Sequence, residues 1–143
     1  MSPEEWRRSE AARWIDLAGR DLRVAEMTAS EVPSASVFHC QQCAEKIEKA
    51  LLTFRDVPFR KTHDLRELGK QCAGLEPSLG PLVAEAANLT DYAVVFRYLD
   101  APREPDAAEA ELAIGVARRL FDTIRGLVGE DVTEARFRVF APE

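Results

Sequence analysis

A chain of 143 residues, 46% hydrophobic and 31% charged, is long enough to bury one core without a disulfide or metal, and no apolar run approaches the ~20 residues of a membrane span. A net charge of -6 argues against a protein that coats nucleic acid over its whole surface. Three cysteines cannot all pair within one chain, and the start Met1-Ser2-Pro3-Glu4-Glu5 has neither a basic nor an apolar leader, so a cytoplasmic protein is expected.

Prolines at 33, 58, 77, 81, 102 and 105 separate segments that each keep a helical period, which predicts a single all-α domain over 1–143. In the first helix, about Glu4 to Ala29, the residues Ala11, Trp14, Ile15, Ala18, Leu22 and Ala25 form one apolar stripe. The second, about Ser34 to Phe54, aligns Cys40, Ala44, Ile47, Leu51 and Phe54. At about 100° per residue, His39, Gln42, Lys46 and Lys49 fall on its opposite side as a polar row, expected to point away from the main stripe. Phe38 and Leu52 lie outside both sectors and suggest a further apolar contact, with another helix or another subunit.

Thr62 is the expected N-cap of a short third helix, with Asp64 in its first turn and Leu65 and Leu68 facing inward. The fourth runs from about Pro81 to Tyr98 and aligns Leu82, Leu89, Tyr92 and Phe96. The fifth opens at Pro105 or Asp106 and keeps a bundle-type repeat from Leu112 to Val128, ending at Gly129. Arg136-Phe137-Arg138-Val139-Phe140 alternates enough to suggest an extended tail within 130–143. The economical architecture is an up-and-down bundle of four or five helices with one short interposed helix.

Most of the rare side chains sit in three blocks: Phe38 to Lys46 (FHCQQCAEK), Lys61 to Leu65 (KTHDL) and the pair Arg97-Tyr98. Between Lys46 and Lys70 the basic residues Lys46, Lys49, Arg55, Arg60, Lys61, Arg66 and Lys70 outnumber the acidic Glu48, Asp56, Asp64 and Glu67. Such a segment either attracts a phosphate or is a solvated surface of alternating charge. His39, Gln42 and Lys46 offer a titratable ring, an amide and a cation along one helix face, a set suited to a base edge and a phosphate; packing against polar neighbours is the alternative. Lys61 and His63, near a helix N-terminus, could serve an anion or simply hold the loop. Arg97 could clamp a phosphate or pair with a carboxylate, and Tyr98 could stack or hydrogen-bond. Cys40 and Cys43 form a Cys-x2-Cys, but Cys40 falls on the apolar stripe and Cys43 at its edge, so no metal is expected.

These blocks, preceded by Asp21-Leu22 and Ala25 and followed by Tyr92, resemble the HEPN (higher eukaryotes and prokaryotes nucleotide-binding) domain family over nearly all of residues 4 to 128. The resemblance implies a helical bundle, often a homodimer, frequently encoded beside a minimal nucleotidyltransferase; some relatives are ribonuclease toxins of toxin–antitoxin pairs. The ribonuclease branch carries Arg, four to six residues, then His. Here His63 follows Arg60 by two intervening residues and Arg55 by seven, and no histidine follows Arg97, so that motif is absent. Leu99 stands where many relatives carry proline after the Arg-Tyr pair. The expectation is a non-catalytic binding subunit without cofactor, recognising a nucleotide such as ATP or the partner nucleotidyltransferase through His39, Gln42, Lys46, Lys61, His63, Arg97 and Tyr98, with RNA disfavoured as a ligand. A divergent ribonuclease using Arg97, His39 and His63 and a purely structural dimerisation module are the alternatives. If a partner enzyme modifies a hydroxyl on this chain, Tyr98 is the candidate by analogy.

Overall fold

A computed structural model of the chain describes residues 1–95 and 104–129, leaving the side chains of 91–95 aside. All regular structure among these residues is helical: α1 (Pro3–Thr28), α2 (Pro33–Phe54), α3 (Leu65–Leu75), a 3₁₀ turn at Pro77–Leu79, α4 (Gly80–Val95) and α5 (Ala107–Val128). None of the helices is long and apolar enough to cross a membrane. The expected features at Tyr92, Phe96, Arg97, Tyr98 and Leu99, and the tail within 130–143, lie outside the described backbone and side chains.

Local chemistry sets the boundaries. Ser2 and Glu5 close a capping box at the start of α1, and Asp106 with Glu109 does the same for α5. A tight turn, with Val32 N–H on the Thr28 carbonyl at 2.8 Å, leads into α2, whose first residue is Pro33. At the far end Asp56 adopts the left-handed conformation (φ 57°), and Val57 N–H reaches back to the Leu52 carbonyl at 2.8 Å. The chain then enters the 55–64 segment. There the structure corrects the expected cap of α3: Asp64 is the N-cap, its carboxylate accepting from Arg66 N–H at 2.9 Å, while the Thr62 hydroxyl accepts from Asp64 N–H one turn earlier. A carboxylate outcompetes a hydroxyl for the N-terminal amides because it adds charge to the hydrogen bond.

α2 is the central helix and packs against each of the other four. Ala44, Ile47 and Leu51 are fully buried, facing a seam of small residues on α1 (Ala11, Ala18, Ala25) and the stripe Ile114, Ala117, Leu120 and Ile124 on α5. Leu52 is also fully buried inside the chain, so the further apolar contact expected of it is intramolecular. Phe38 is half-buried and meets the His39 ring edge to face at 5.3 Å.

α3 closes on α2 and α4 at a glycine. A Cβ at Gly69 would lie 3.0 Å from Val83 Cβ and 3.1 Å from Glu48 Oε2, tighter than ordinary contact. A methyl group at Gly74, on the same helix, would meet nothing. Gly69→Ala is therefore expected to cost about 1–2 kcal/mol through overpacking, and Gly74→Ala to gain up to about 1 kcal/mol from helix propensity alone. Urea denaturation of the two variants checks this: equal gains would show that the contact at Gly69 yields freely.

Candidate functional site

The polar row of α2 does not face open water. Asp21, on the stripe of α1 that packs against α2, is itself buried, with 8% exposure. Its Oδ1 lies 2.8 Å from His39 Nδ1, and its Oδ2 accepts from the Lys46 ammonium. Immediately before Lys46 on α2, Glu45 is buried at 3% exposure; its Oε1 lies 2.7 Å from His63 Nδ1 and its Oε2 3.4 Å from Lys49 Nζ. Two carboxylates thus each hold one histidine and one lysine. Of the two readings of the row, packing against polar neighbours is what the fold shows for His39 and Lys46: α1 and the 55–64 segment cover much of it, because α2 has neighbours on every side.

In both pairs a carboxylate oxygen accepts, so Nδ1 of the ring carries the proton and Nε2 is the edge left for another partner. The rings differ in access. His39 remains partly covered, whereas the His63 side chain is 83% exposed. Lys49 is buried, its ammonium 5.5 Å from the Trp14 ring centroid and 5.9 Å from that of Phe59, so two aromatic faces and Glu45 share its charge. Gln42 donates from Nε2 to Gln41 Oε1 at 2.9 Å.

The local basic excess is likewise largely answered within the fold. Besides Lys46 and Lys49, Arg55 binds Glu76 at 2.6 Å, and Arg60 makes a two-pronged contact with Glu67 at 2.7 Å on each prong. The hydrogen bond and charge of Arg60 hold the Glu67 carboxyl below its ordinary value. At the N-terminus of α3 the Asp64 carboxylate accepts from Arg66 N–H and places a negative charge there, which opposes the expected anion site. Lys61 is exposed, with no ion pair among the described residues. The fold therefore brings His39, Gln42 and Lys46 onto one seam and seats His63 on the neighbouring Glu45. Arg97 and Tyr98 lie outside the described residues.

All three cysteines are buried and free. Burial pushes the Cys40 thiol up to about 12 and raises Cys43 and Cys72 further, which leaves them as small apolar groups rather than nucleophiles. Among the described residues no group of three His, Cys, Asp or Glu side chains could hold a metal ion.

The two acidic residues that carry the arrangement, Asp21 and Glu45, were not singled out as site residues from the sequence. The signal was present in part, since Asp21 follows Ala18 and precedes Ala25 on the apolar stripe of α1, where a carboxylate requires a partner.

Fold and site together define an all-helical bundle whose central helix carries a carboxylate-anchored row of histidine, glutamine and lysine. The HEPN domain model matches residues 11–127, and the chain belongs to that family. No curated protein and no solved structure matches it.

Proposed function

We propose that this HEPN protein is a binding subunit that recognises a nucleotide such as ATP without catalysis of its own, and that His63, Lys61 and the accessible edges of His39, Gln42 and Lys46 form the contact surface, with Arg97 and Tyr98 as further contributors. One observation carries the reading: both histidines are fixed through Nδ1 by buried carboxylates, which leaves Nε2 of each as an oriented group for a ligand. Membership of a family named for nucleotide binding supports it. A homodimer acting with a minimal nucleotidyltransferase in the cytoplasm is the setting we propose.

The same oriented histidines favour a second reading. A ring held by a carboxylate is the arrangement of a general base, so a divergent ribonuclease of a toxin–antitoxin pair would use His39 and His63 in this way. RNA cleavage by the purified protein, lost on His63→Ala, would establish that activity.

The nucleotide reading is tested by calorimetric titration with ATP. Lys61 and His63 are the residues to change, because both side chains are exposed and their removal leaves the core intact. Saturable binding is expected, weakened about tenfold or more by the Lys61→Ala, His63→Ala double variant. Absence of heat under conditions that would reveal affinities near 1 mM, about -4 kcal/mol, would reject it in favour of a protein-interaction role.

A further inference from the structure

Glu48 stands apart from the pairs just described. It is fully buried on α2, and among the described residues neither Oε1 nor Oε2 has a hydrogen-bond partner. The carboxyl occupies the notch left by the missing side chain of Gly69, beneath α3 and beside Val83 of α4. Among the described residues, no cation compensates it from the helices packed there. On α2, the charge of Glu45, of like sign, acts on it, and the Lys49 ammonium is engaged by Glu45, Trp14 and Phe59. On α3, Cys72 Sγ donates to the backbone carbonyl of Glu48 at 3.5 Å, while Arg66 and Lys70 are exposed and line the α3–α4 groove. On α4, Val83 meets the notch, and Glu85 is exposed and paired with Arg119 of α5 at 2.6 Å. Carrying a full negative charge at this point would cost several kcal/mol, far more than carrying the neutral acid.

We propose that Glu48 is a pH-sensitive latch: as the neutral acid it lets α3 close on α2 and α4, and its ionisation loosens α3 together with the segment that bears Lys61 and His63. The coupling to that segment is structural. Arg60 is tied to Glu67 of α3, Gln71 of α3 donates to the Pro58 carbonyl at 3.0 Å, and His63 directly precedes the α3 cap. α3 and residues 58–64 therefore move as one piece, and movement of that piece breaks the contact between His63 and Glu45.

The direction of the pH effect follows from linkage. Burial, helped by the charge of Glu45, raises the Glu48 carboxyl well above its ordinary value of 4.5. Below that value the folded and unfolded chains are both protonated and Glu48 carries no penalty. As pH rises past it, the unfolded chain releases the proton while the folded chain keeps it, so stability falls until the folded value is passed.

The test compares the full chain with Glu48→Gln, a neutral substitute of the same shape, from about pH 5 to about pH 9. Amide exchange in α3 and residues 58–64, corrected for intrinsic rates, is expected to accelerate about tenfold or more across this range in the wild type and to stay level in the variant, while α1 and α5 change little. Equal pH dependence in the two proteins, or equal acceleration throughout the bundle, would overturn the latch. If the variant does not fold, carboxyl carbon NMR of the wild type decides: titration of Glu48 at or below the ordinary carboxylate value would overturn it.

Discussion

Glu45→Gln is expected to destabilise the protein by about 3 kcal/mol and to lower Tm by roughly 10 °C. The loss stems from Lys49 rather than from Glu45 itself. Both side chains are buried, and removing the carboxylate leaves an ammonium with only the faces of Trp14 and Phe59 for company. Two aromatic faces supply about 1–2 kcal/mol each at best in a desolvated setting, less than the cost of a buried charge without a counter-ion. His63 adds little to this figure, because its exposed ring can turn to water. Adding Lys49→Met removes the orphaned charge and fills the same slot. The Glu45→Gln, Lys49→Met double variant should recover to within about 1 kcal/mol of the wild type, so the cycle is strongly non-additive. Chemical denaturation of all four proteins measures it; additive costs would mean that Lys49 finds water in the folded state and that the pair is not structural.

Asp21→Ala is the second large effect, expected at about 2 kcal/mol. One carboxylate serves both His39 and Lys46, so its removal unpairs two donors at once across the α1–α2 seam. The cost is smaller than at Glu45 because the ammonium of Lys46 lies nearer the surface and its stem can carry it out to water. His39 reports the local consequence. With Asp21 present the proton is held on Nδ1; with Asp21→Asn the preference weakens, and nitrogen NMR of the imidazole should show a mixture of tautomers. An unchanged tautomer alongside an unchanged denaturation midpoint would remove Asp21 from its anchoring role.

Much of the fold was legible in the chain order of residues. Helical period and proline punctuation located every helix among the described residues, and the apolar positions Ala44, Ile47 and Leu51 were readable because three- and four-residue steps place them on one side of α2. The cap of α3 was misplaced because Thr62 and Asp64 both suit an N-cap, and only the backbone path decides which oxygen reaches the free amide. The site was half legible. The sequence placed His39, Gln42 and Lys46 along one side of a helix and left open whether that side meets a ligand or polar neighbours. Asp21 and Glu45 escaped because each lies on a helix that reads acceptably without it, and each acquires its meaning from a partner 18 or more residues away.

The sequence by itself determined the helical class, the order of the helices, the family and the residues that share a side of α2, because these depend on local period and on motifs contiguous in the chain. Only the tertiary structure decided that α2 lies at the centre, that the polar row is pinned by Asp21 and Glu45, and that Glu48 is sealed beneath Gly69 without a partner among the described residues. The physical reason is that a helical period fixes which residues lie together, whereas burial and charge pairing depend on what the other helices bring against them.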